Sequence, residues 1–309
     1  MNIDSQVQHN LYGHESIFNN LFKLYKNNNL PNKFLISGEK GVGKSTLSYH
    51  LVNSILSEDE EYSYNHKNFQ INPENRSFKL IQNKSHPNFT LVDVAEDKKN
   101  IDINQIRDLI SNLNKSSFNS ESRFVLIDNI ELMNVYSVNA LLKFLEEPNA
   151  NINFILINNN KQILPTLKSR CINFKVFLSF KQSIDIINNI INADVYDIIN
   201  EELIDNYITP GRLFQILRIS NEYNINLKKT NLKKLLIVLI KDKIYKKDKY
   251  SNEIFYYFVE SFFRKNLTIN NIGIYNFYSY FMNKIKDNKI YNLDEETLLM
   301  ELEEKVLIG

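Results

Sequence analysis

The sequence contains one cysteine, Cys171, among its 309 residues. A single thiol cannot form an internal disulfide framework, and it cannot build a zinc site that needs three or four thiolates. The sequence therefore excludes disulfide-stapled folds and cysteine-rich zinc modules. It favours a reducing, cytoplasmic location.

Long apolar runs and an excess of charge of one sign are also missing. No stretch of about 18 consecutive apolar residues occurs, and the first ten residues lack the cationic start and apolar core of a secretion signal. We therefore expect neither membrane spanning nor secretion. The net charge of +1 provides no global basic field, so any DNA contact must come from a local patch or from partners.

Short apolar runs alternate with amphipathic patterns in the first part of the chain, and an apolar content of 43% suffices for a sizeable core. This alternation predicts an α/β fold with a doubly wound parallel sheet. The expected strands are Lys33–Ser37, Phe89–Asp93, Arg123–Asp128, Asn153–Asn158 and Cys171–Val176. The expected helices are Glu15–Lys26, Lys44–Leu56, Ile103–Leu113 and Val135–Leu145.

Helical patterns dominate after Val176, which predicts three domains: residues 1–176 as an α/β domain, 177–223 as a small helical lid, and 224–309 as a separate helical bundle, which we call the collar. The lid is expected to contain helices Gln182–Ile191, Val195–Asn206 and Arg212–Ile219. The collar is expected to contain Leu227–Ile240, Glu253–Phe263, Ile274–Ile285 and Glu295–Leu307.

Two polar segments carry no clear periodicity. Residues 57–85 are polar and irregular, and a loop of that length is usually functional or disordered. The basic stretch Lys241–Lys249 is more typical of a solvated helix end or linker than of a DNA site.

A phosphate-binding loop is the strongest motif. It is Gly38-Glu39-Lys40-Gly41-Val42-Gly43-Lys44-Ser45, followed by Thr46, and it connects an apolar strand to a helix. Glycines let backbone N–H groups converge on phosphate oxygens, and the helix N-terminus adds positive potential. We expect Lys44 to reach the β and γ phosphates and Ser45 to bind Mg²⁺. The loop alone does not distinguish kinases, GTPases, motors and switches.

An acidic motif lies at the end of the apolar strand that includes Phe124–Asp128. We expect its carboxylate, Asp128, to hold Mg²⁺ together with Ser45. Asp128 has one alternative role, as a cap of the next helix. Motors of this type carry a glutamate directly after this aspartate, but here the residue is Asn129. An amide cannot act as a general base, so we expect weak intrinsic hydrolysis. Glu131 is an alternative base whose direction the sequence does not give.

The segments Asn139–Pro148 and Leu164–Cys171 resemble the AAA+ subunits of bacterial DNA polymerase III clamp loaders, and their delta-prime family most closely. Tyr12-Gly13-His14, Ser85-His86-Pro87 and Pro210-Gly211-Arg212 support the resemblance. The resemblance is clear over about residues 10 to 220. In the collar, only the size and the helical character are similar. The four-cysteine zinc module of many relatives is missing, whereas the phosphate-binding loop, degraded in many delta-prime relatives, is intact.

The resemblance implies roles for several residues. Leu11 to His14, including Tyr12, would line the adenine side, and Asn158 or Asn159 would sense the γ-phosphate. Arg212 would be a second sensor, and Arg170 an arginine finger that reaches a neighbouring subunit's nucleotide. Each has a plainer alternative: Arg170 as a surface ion pair, the asparagines as turn residues, and Arg212 as the start of a helix.

The resemblance also implies ATP and Mg²⁺ as cofactors, without zinc. The implied partners are other clamp-loader subunits in a hetero-oligomeric ring, the sliding clamp, and primed DNA contacted through the complex. Arg107 and Lys143 would touch DNA phosphates. The main alternative is an autonomous AAA+ ATPase acting on nucleic acid, and a P-loop kinase is a weaker one.

Overall fold

A computed structural model describes residues 4–95, 98–114, 122–146, 151–266, 272–291 and 295–308. The chain divides into two compact units, Met1–Gln182 and Ser183–Gly309. None of the helices in these ranges combines the length and apolar character that a membrane crossing requires.

The first unit is built on a five-stranded sheet in which every neighbouring pair is parallel, with the order β2-β3-β4-β1-β5. The strands are β1 (Lys33–Ser37), β2 (Phe89–Val92), β3 (Arg123–Ile127), β4 (Ile152–Asn158) and β5 (Ile172–Lys175). Each lies within a residue or two of its expected position. The parallel α/β sheet expected from the sequence is thus present.

Helices cover both faces of this sheet. They are α1 (Glu15–Lys26), α2 (Lys44–Leu56), α3 (Arg76–Gln82), α4 (Ile103–Asn114), α5 (Val135–Glu146) and the short α6 (Pro165–Lys168). Alternate residues of β1 point to opposite faces: Phe34 and Ile36 join a core with α1, α2 and α3, whereas Leu35 joins a core with α4 and α5. Burial on both faces explains why the strands are almost continuously apolar.

The polar segment of residues 57–85 is folded, which corrects the expectation of an irregular loop. Tyr64, Ile71 and Phe78 are buried in the core beside α1 and α2. The segment also contains α3, which the sequence pattern did not reveal because a helix of seven residues spans only two turns. Its start is fixed by Asn75, whose side chain accepts a hydrogen bond from the Phe78 backbone N–H.

The second unit is helical. It contains most of α7 (Phe180–Ile191) and all of α8 (Val195–Ile198), α9 (Pro210–Glu222), α10 (Leu232–Lys241), α11 (Lys249–Asn266), α12 (Ile272–Tyr291) and α13 (Glu296–Leu302). The expected boundary between lid and collar, at residues 223 and 224, falls inside this unit. That subdivision stays a prediction.

Several helices of this unit differ from expectation: α11 and α12 are longer than expected, and α13 ends at Leu302, before a π-helical segment at Glu303–Ile308. The continuous helix expected for Val195–Asn206 is wrong: α8 ends early, and a 3-10 turn, Glu201–Leu203, follows it. The break lies at Ile199, which is extended, and at Asn200, whose side chain caps the turn. The helix expected from Leu227 begins instead at Leu232, because Asn231 caps its N-terminus through the backbone N–H of Lys234.

Carboxylates neutralise much of the basic stretch Lys241–Lys249. Lys243 and Lys246 both pair with Glu296, at 2.8 and 2.7 Å, and Lys241 pairs with Glu303. Part of the stretch is a helix end and part a turn. This arrangement favours a solvated structural role over a DNA site.

Candidate nucleotide-binding site

The motif residues meet at one edge of the sheet. Because all strands are parallel, the segments that follow β1, β3 and β4 lie at the same edge, with β4 between the other two. The Ser45 hydroxyl, at the start of α2, donates a hydrogen bond to Asp128 Oδ2 at 2.6 Å. The two predicted Mg²⁺ ligands are therefore in contact, although 83 residues separate them.

Glycines in the loop are required by space and by backbone conformation. A Cβ on Gly38 would lie 2.2 Å from the Val176 carbonyl oxygen, which excludes any side chain there. Gly41 and Gly43 have φ angles of 86° and 94°, a region that L-residues with side chains rarely adopt. The loop geometry is therefore specific to this sequence pattern.

Lys44 lies inside the loop. Its ammonium group donates hydrogen bonds to the carbonyl oxygens of Gly38, at 2.9 Å, and of Glu39, at 2.7 Å. The residue is only 3% exposed, and this burial lowers its pKa to about 8, although the nearby carboxylates of Asp128 and Glu131 partly counteract the shift. A buried cation of this kind gains strongly from a phosphate oxygen.

Asp128 and Asn129 form a tight turn after β3. Burial raises the pKa of the Asp128 carboxyl, and the hydrogen bond from Ser45 partly offsets this effect. Asn129 has φ of 54°, in the left-handed region that asparagine tolerates better than most residues. Its side chain donates to Asp93 Oδ1 at 2.8 Å, so the residue at the usual position of a catalytic base is held in a polar network.

The two candidate sensors are in different environments. Asn158 forms hydrogen bonds with both the backbone N–H and the carbonyl of Lys161, which close its own turn. Asn159 faces the network after β3: its side-chain amide donates to Asn129 Oδ1 at 2.9 Å and to Glu131 Oε1 at 2.8 Å. Of the two, Asn159 is the one beside the acidic motif, and its sensor role stays a prediction.

The segment Leu11–His14 packs against the loop. The buried His14 ring places Nε2 2.6 Å from the Val42 carbonyl oxygen, and a Cβ on Gly43 would contact the same ring. Burial lowers the pKa of His14, which favours the neutral ring. Tyr12, two residues earlier, is half-buried. Its contact with adenine stays a prediction.

Arg170 is partly exposed after α6 and forms an ion pair within the chain. Its Nη2 and Nε donate to Glu146 Oε1 at 2.6 and 2.9 Å, and its Nη1 donates to the Thr166 carbonyl oxygen at 2.9 Å. This is the arrangement of the plainer alternative, a surface ion pair. Glu147 and Pro148, which complete the neighbouring motif, lie outside the described residues.

Arg212 belongs to the second unit. It is in the first turn of α9, and its guanidinium lies over the Tyr257 ring of α11, 4.5 Å from the centroid. A cation–π contact of this kind links the two helices. A role as second sensor stays a prediction.

Sequence reasoning missed two residues of this region. Asp93, directly after β2, accepts the hydrogen bond from Asn129, and it follows the same pattern of apolar strand and carboxylate as Asp128. Glu146, the partner of Arg170, carries no comparable signal, because its contact depends on how α5 and α6 pack.

The residues present fit a magnesium nucleotide. A buried ammonium group, a glycine-containing loop that leads from β1 into the N-terminus of α2, and a contacting hydroxyl and carboxylate form the donor set that a triphosphate and Mg²⁺ require. Lys44 and the loop would hold the phosphates, while Ser45 and Asp128 would hold the metal ion.

Comparisons with known proteins point to one family of replication proteins. Residues 13–178 match the family described as DNA polymerase III, delta subunit. The delta' subunit of DNA polymerase III from Pseudomonas aeruginosa is 31% identical over 140 residues, which cover 45% of this chain and 41% of that protein. The gamma subunit from Buchnera aphidicola subsp. Schizaphis graminum is 31% identical over 152 residues, 49% of this chain and 39% of that protein. The match thus spans less than half of the length of these relatives.

A solved structure supports the fold. A DNA polymerase III gamma subunit-related protein from Thermotoga maritima superposes with a TM-score of 0.54 at 18% identity, covering 92% of this chain and 96% of that one. The parallel α/β fold expected from the sequence is confirmed, and so is the expected resemblance to the delta-prime family. Because the family match covers more than half of the chain, this protein belongs to the DNA polymerase III delta subunit family.

Proposed function

We propose that the chain is a delta-prime-like subunit of a DNA polymerase III clamp loader. It binds ATP and Mg²⁺ in its phosphate-binding loop and offers Arg170 to the nucleotide of a neighbouring subunit in a hetero-oligomeric ring. The ring then loads a sliding clamp onto primed DNA in an ATP-dependent reaction. The observation that carries the proposal is the contact between Ser45 and Asp128 behind an intact loop, in a member of this family.

Nucleotide binding in this subunit is regulatory, with weak intrinsic turnover. The Asn129 amide accepts no proton from water, and its hydrogen bonds to Asp93 and Asn159 hold it in place. Catalytic assistance in the ring therefore passes from this subunit to its neighbour through Arg170.

The ion pair of Arg170 does not prevent this role. Both partners are exposed, and such surface pairs contribute about 0–1 kcal/mol to stability. Exchanging the Glu146 carboxylate for a phosphate oxygen therefore costs little, and the phosphate accepts the same charge-assisted hydrogen bonds.

DNA contact is assigned to a groove of about 460 Å³ between α4 and α5. Its lining includes Arg107, Lys143 and Tyr136, the last with 74% of its surface exposed. In the part of the chain that the structure describes, no carboxylate forms an ion pair with either cation. Two cations on one surface suit the phosphate backbone, which is recognised without base specificity.

The proposal is tested by ATP hydrolysis of the reconstituted loader. We expect Arg170→Ala to lower its turnover by about a hundredfold or more, because a finger in trans stabilises transition-state charge. Lys44→Ala should have a much smaller effect. Glu146→Gln is the matched control, since it removes the ion pair and keeps the guanidinium, and it should retain most of the activity.

A different function follows if these effects are equal or reversed. The second candidate is an autonomous ATPase in which Glu131, whose charge acts on Lys44, replaces the missing base. Robust steady-state hydrolysis by the isolated chain that Lys44→Ala abolishes would support this candidate and contradict the subunit role.

A further inference from the structure

The amide of Asn159 has no hydrogen left for a ligand. One of its two side-chain hydrogens is donated to Asn129 Oδ1 at 2.9 Å and the other to Glu131 Oε1 at 2.8 Å. The backbone N–H of Asn159 also points to Glu131, with 3.3 Å to Oε2. Glu131 therefore occupies donors that a phosphate oxygen at this edge of the sheet would need.

Glu131 also acts on the cation of the site. Its charge raises the pKa of Lys44 against the larger lowering caused by burial, as does the charge of Asp128. The carboxylate thus lies within electrostatic reach of the ammonium group expected to bind the β and γ phosphates. A phosphate added here would be attracted by Lys44 and repelled by Glu131.

We propose that Glu131 determines the nucleotide specificity of this site by competing with the γ-phosphate of ATP for the amide donors of Asn159. ADP has no γ-phosphate, so it binds with the pair between Glu131 and Asn159 intact. ATP must displace the carboxylate first, and the site consequently discriminates little in favour of the triphosphate. This inference rests on the proposed function, because it concerns the same nucleotide.

The hydrogen bonds argue for this role over that of a general base. Both carboxylate oxygens of Glu131 accept hydrogen bonds from Asn159, one from the side chain and one from the backbone. A base must direct a free lone pair at the attacking water. Here the lone pairs are aimed at protein donors.

Binding of Mg²⁺-ATP and Mg²⁺-ADP to the isolated full-length chain tests the inference. Glu131→Gln keeps the shape and removes the charge, and we expect about tenfold tighter ATP binding, with ADP affinity changed by less than about twofold. In an Asn159→Ala background the same substitution should give no gain, because the contested side-chain donor is gone and only the long backbone contact remains. Glu61→Gln, an exposed site beyond the far end of α2, removes the same charge and serves as control.

An unchanged ratio of ATP to ADP affinity in Glu131→Gln would overturn the inference while leaving the proposed function standing. A gain that persists without Asn159 would also overturn it, since repulsion alone would explain the result. Loss of hydrolysis with unchanged affinities would identify Glu131 as a base and overturn it too. Absence of nucleotide binding in every variant, wild type included, would instead remove the proposed function and this inference with it.

Discussion

Lys44 connects the fold of the loop with the nucleotide that we propose as its ligand. The closed loop surrounds the ammonium group with backbone carbonyls and little solvent, which lowers its pKa to about 8. Burial removes water from the charged ammonium group, and phosphate oxygens would stabilise this charge in place of the water. Nucleotide binding and protonation of Lys44 are therefore linked.

This linkage predicts a pH dependence of nucleotide affinity. The free protein holds the Lys44 proton below about pH 8 and loses it above, whereas bound phosphate raises the pKa, so binding takes up a proton at alkaline pH. Affinity for Mg²⁺-ATP should fall about tenfold between pH 7 and pH 9. Calorimetry in buffers of different ionisation enthalpy measures the proton uptake. Lys44→Ala should bind weakly at both pH values, and a constant wild-type affinity would refute the linkage.

At the scale of single elements, the start of α3 is held by the buried Asn75 side chain and by Glu60, whose carboxylate accepts from the backbone N–H groups of Arg76 and Ser77. Asn75 is fully buried, and its Oδ1 accepts from the Phe78 N–H at 2.7 Å and from Asn53 Nδ2 at 2.9 Å. Its Nδ2 donates to the Tyr62 carbonyl oxygen at 2.8 Å. The residue joins the start of α3 to α2 and to the preceding turn, so its polar contacts add to the apolar ones that Phe78 and Ile81 of α3 make in the core.

Replacing Asn75 with alanine should therefore destabilise the first unit. The substitution removes a helix cap and leaves two buried polar groups, the Phe78 N–H and the Asn53 side-chain amide, without this partner, which costs about 2–4 kcal/mol. Denaturant unfolding measures the change. Asn72→Ala is the control in the same segment: that side chain caps an exposed turn through the Glu74 N–H, so its loss should cost less than about 1 kcal/mol. Equal costs would show that burial of the Asn75 network contributes nothing.

At the scale of the whole molecule, charge is distributed locally. The net charge of +1 does not reveal a groove lined by the cations Arg107 and Lys143, whereas the basic stretch Lys241–Lys249 is largely neutralised by Glu296 and Glu303. The stretch with the most lysines in the sequence is therefore a poorer candidate for DNA contact than the groove between α4 and α5.

The groove is tested in the reconstituted loader with both Arg107 and Lys143 replaced by alanine. We expect weaker binding to primer-template DNA and a salt dependence whose slope falls by about two, because each lost phosphate contact contributes about 0.9. Replacing the exposed Lys247 and Lys249 removes the same charge and should leave both quantities unchanged. Unaltered affinity and slope in the groove variant would exclude this surface from DNA binding.

The sequence by itself determined the parallel sheet, the phosphate-binding loop and the position of Asp128, because these features are local. A buried parallel strand is a short apolar run, and the loop needs glycines at fixed spacing between a strand and a helix. It also indicated that Asn129 cannot be a base, since this follows from side-chain chemistry alone.

Only the tertiary structure decided which polar groups meet. The strand order places the ends of β2, β3 and β4 together, and this brings Asn159 to Glu131 across 28 residues and Asn129 to Asp93 across 36. The packing of α3 on α2 and the pairing of Arg170 with Glu146 are likewise contacts between distant segments. Such contacts depend on topology and side-chain direction, and neither is encoded in the spacing of residues along a single element.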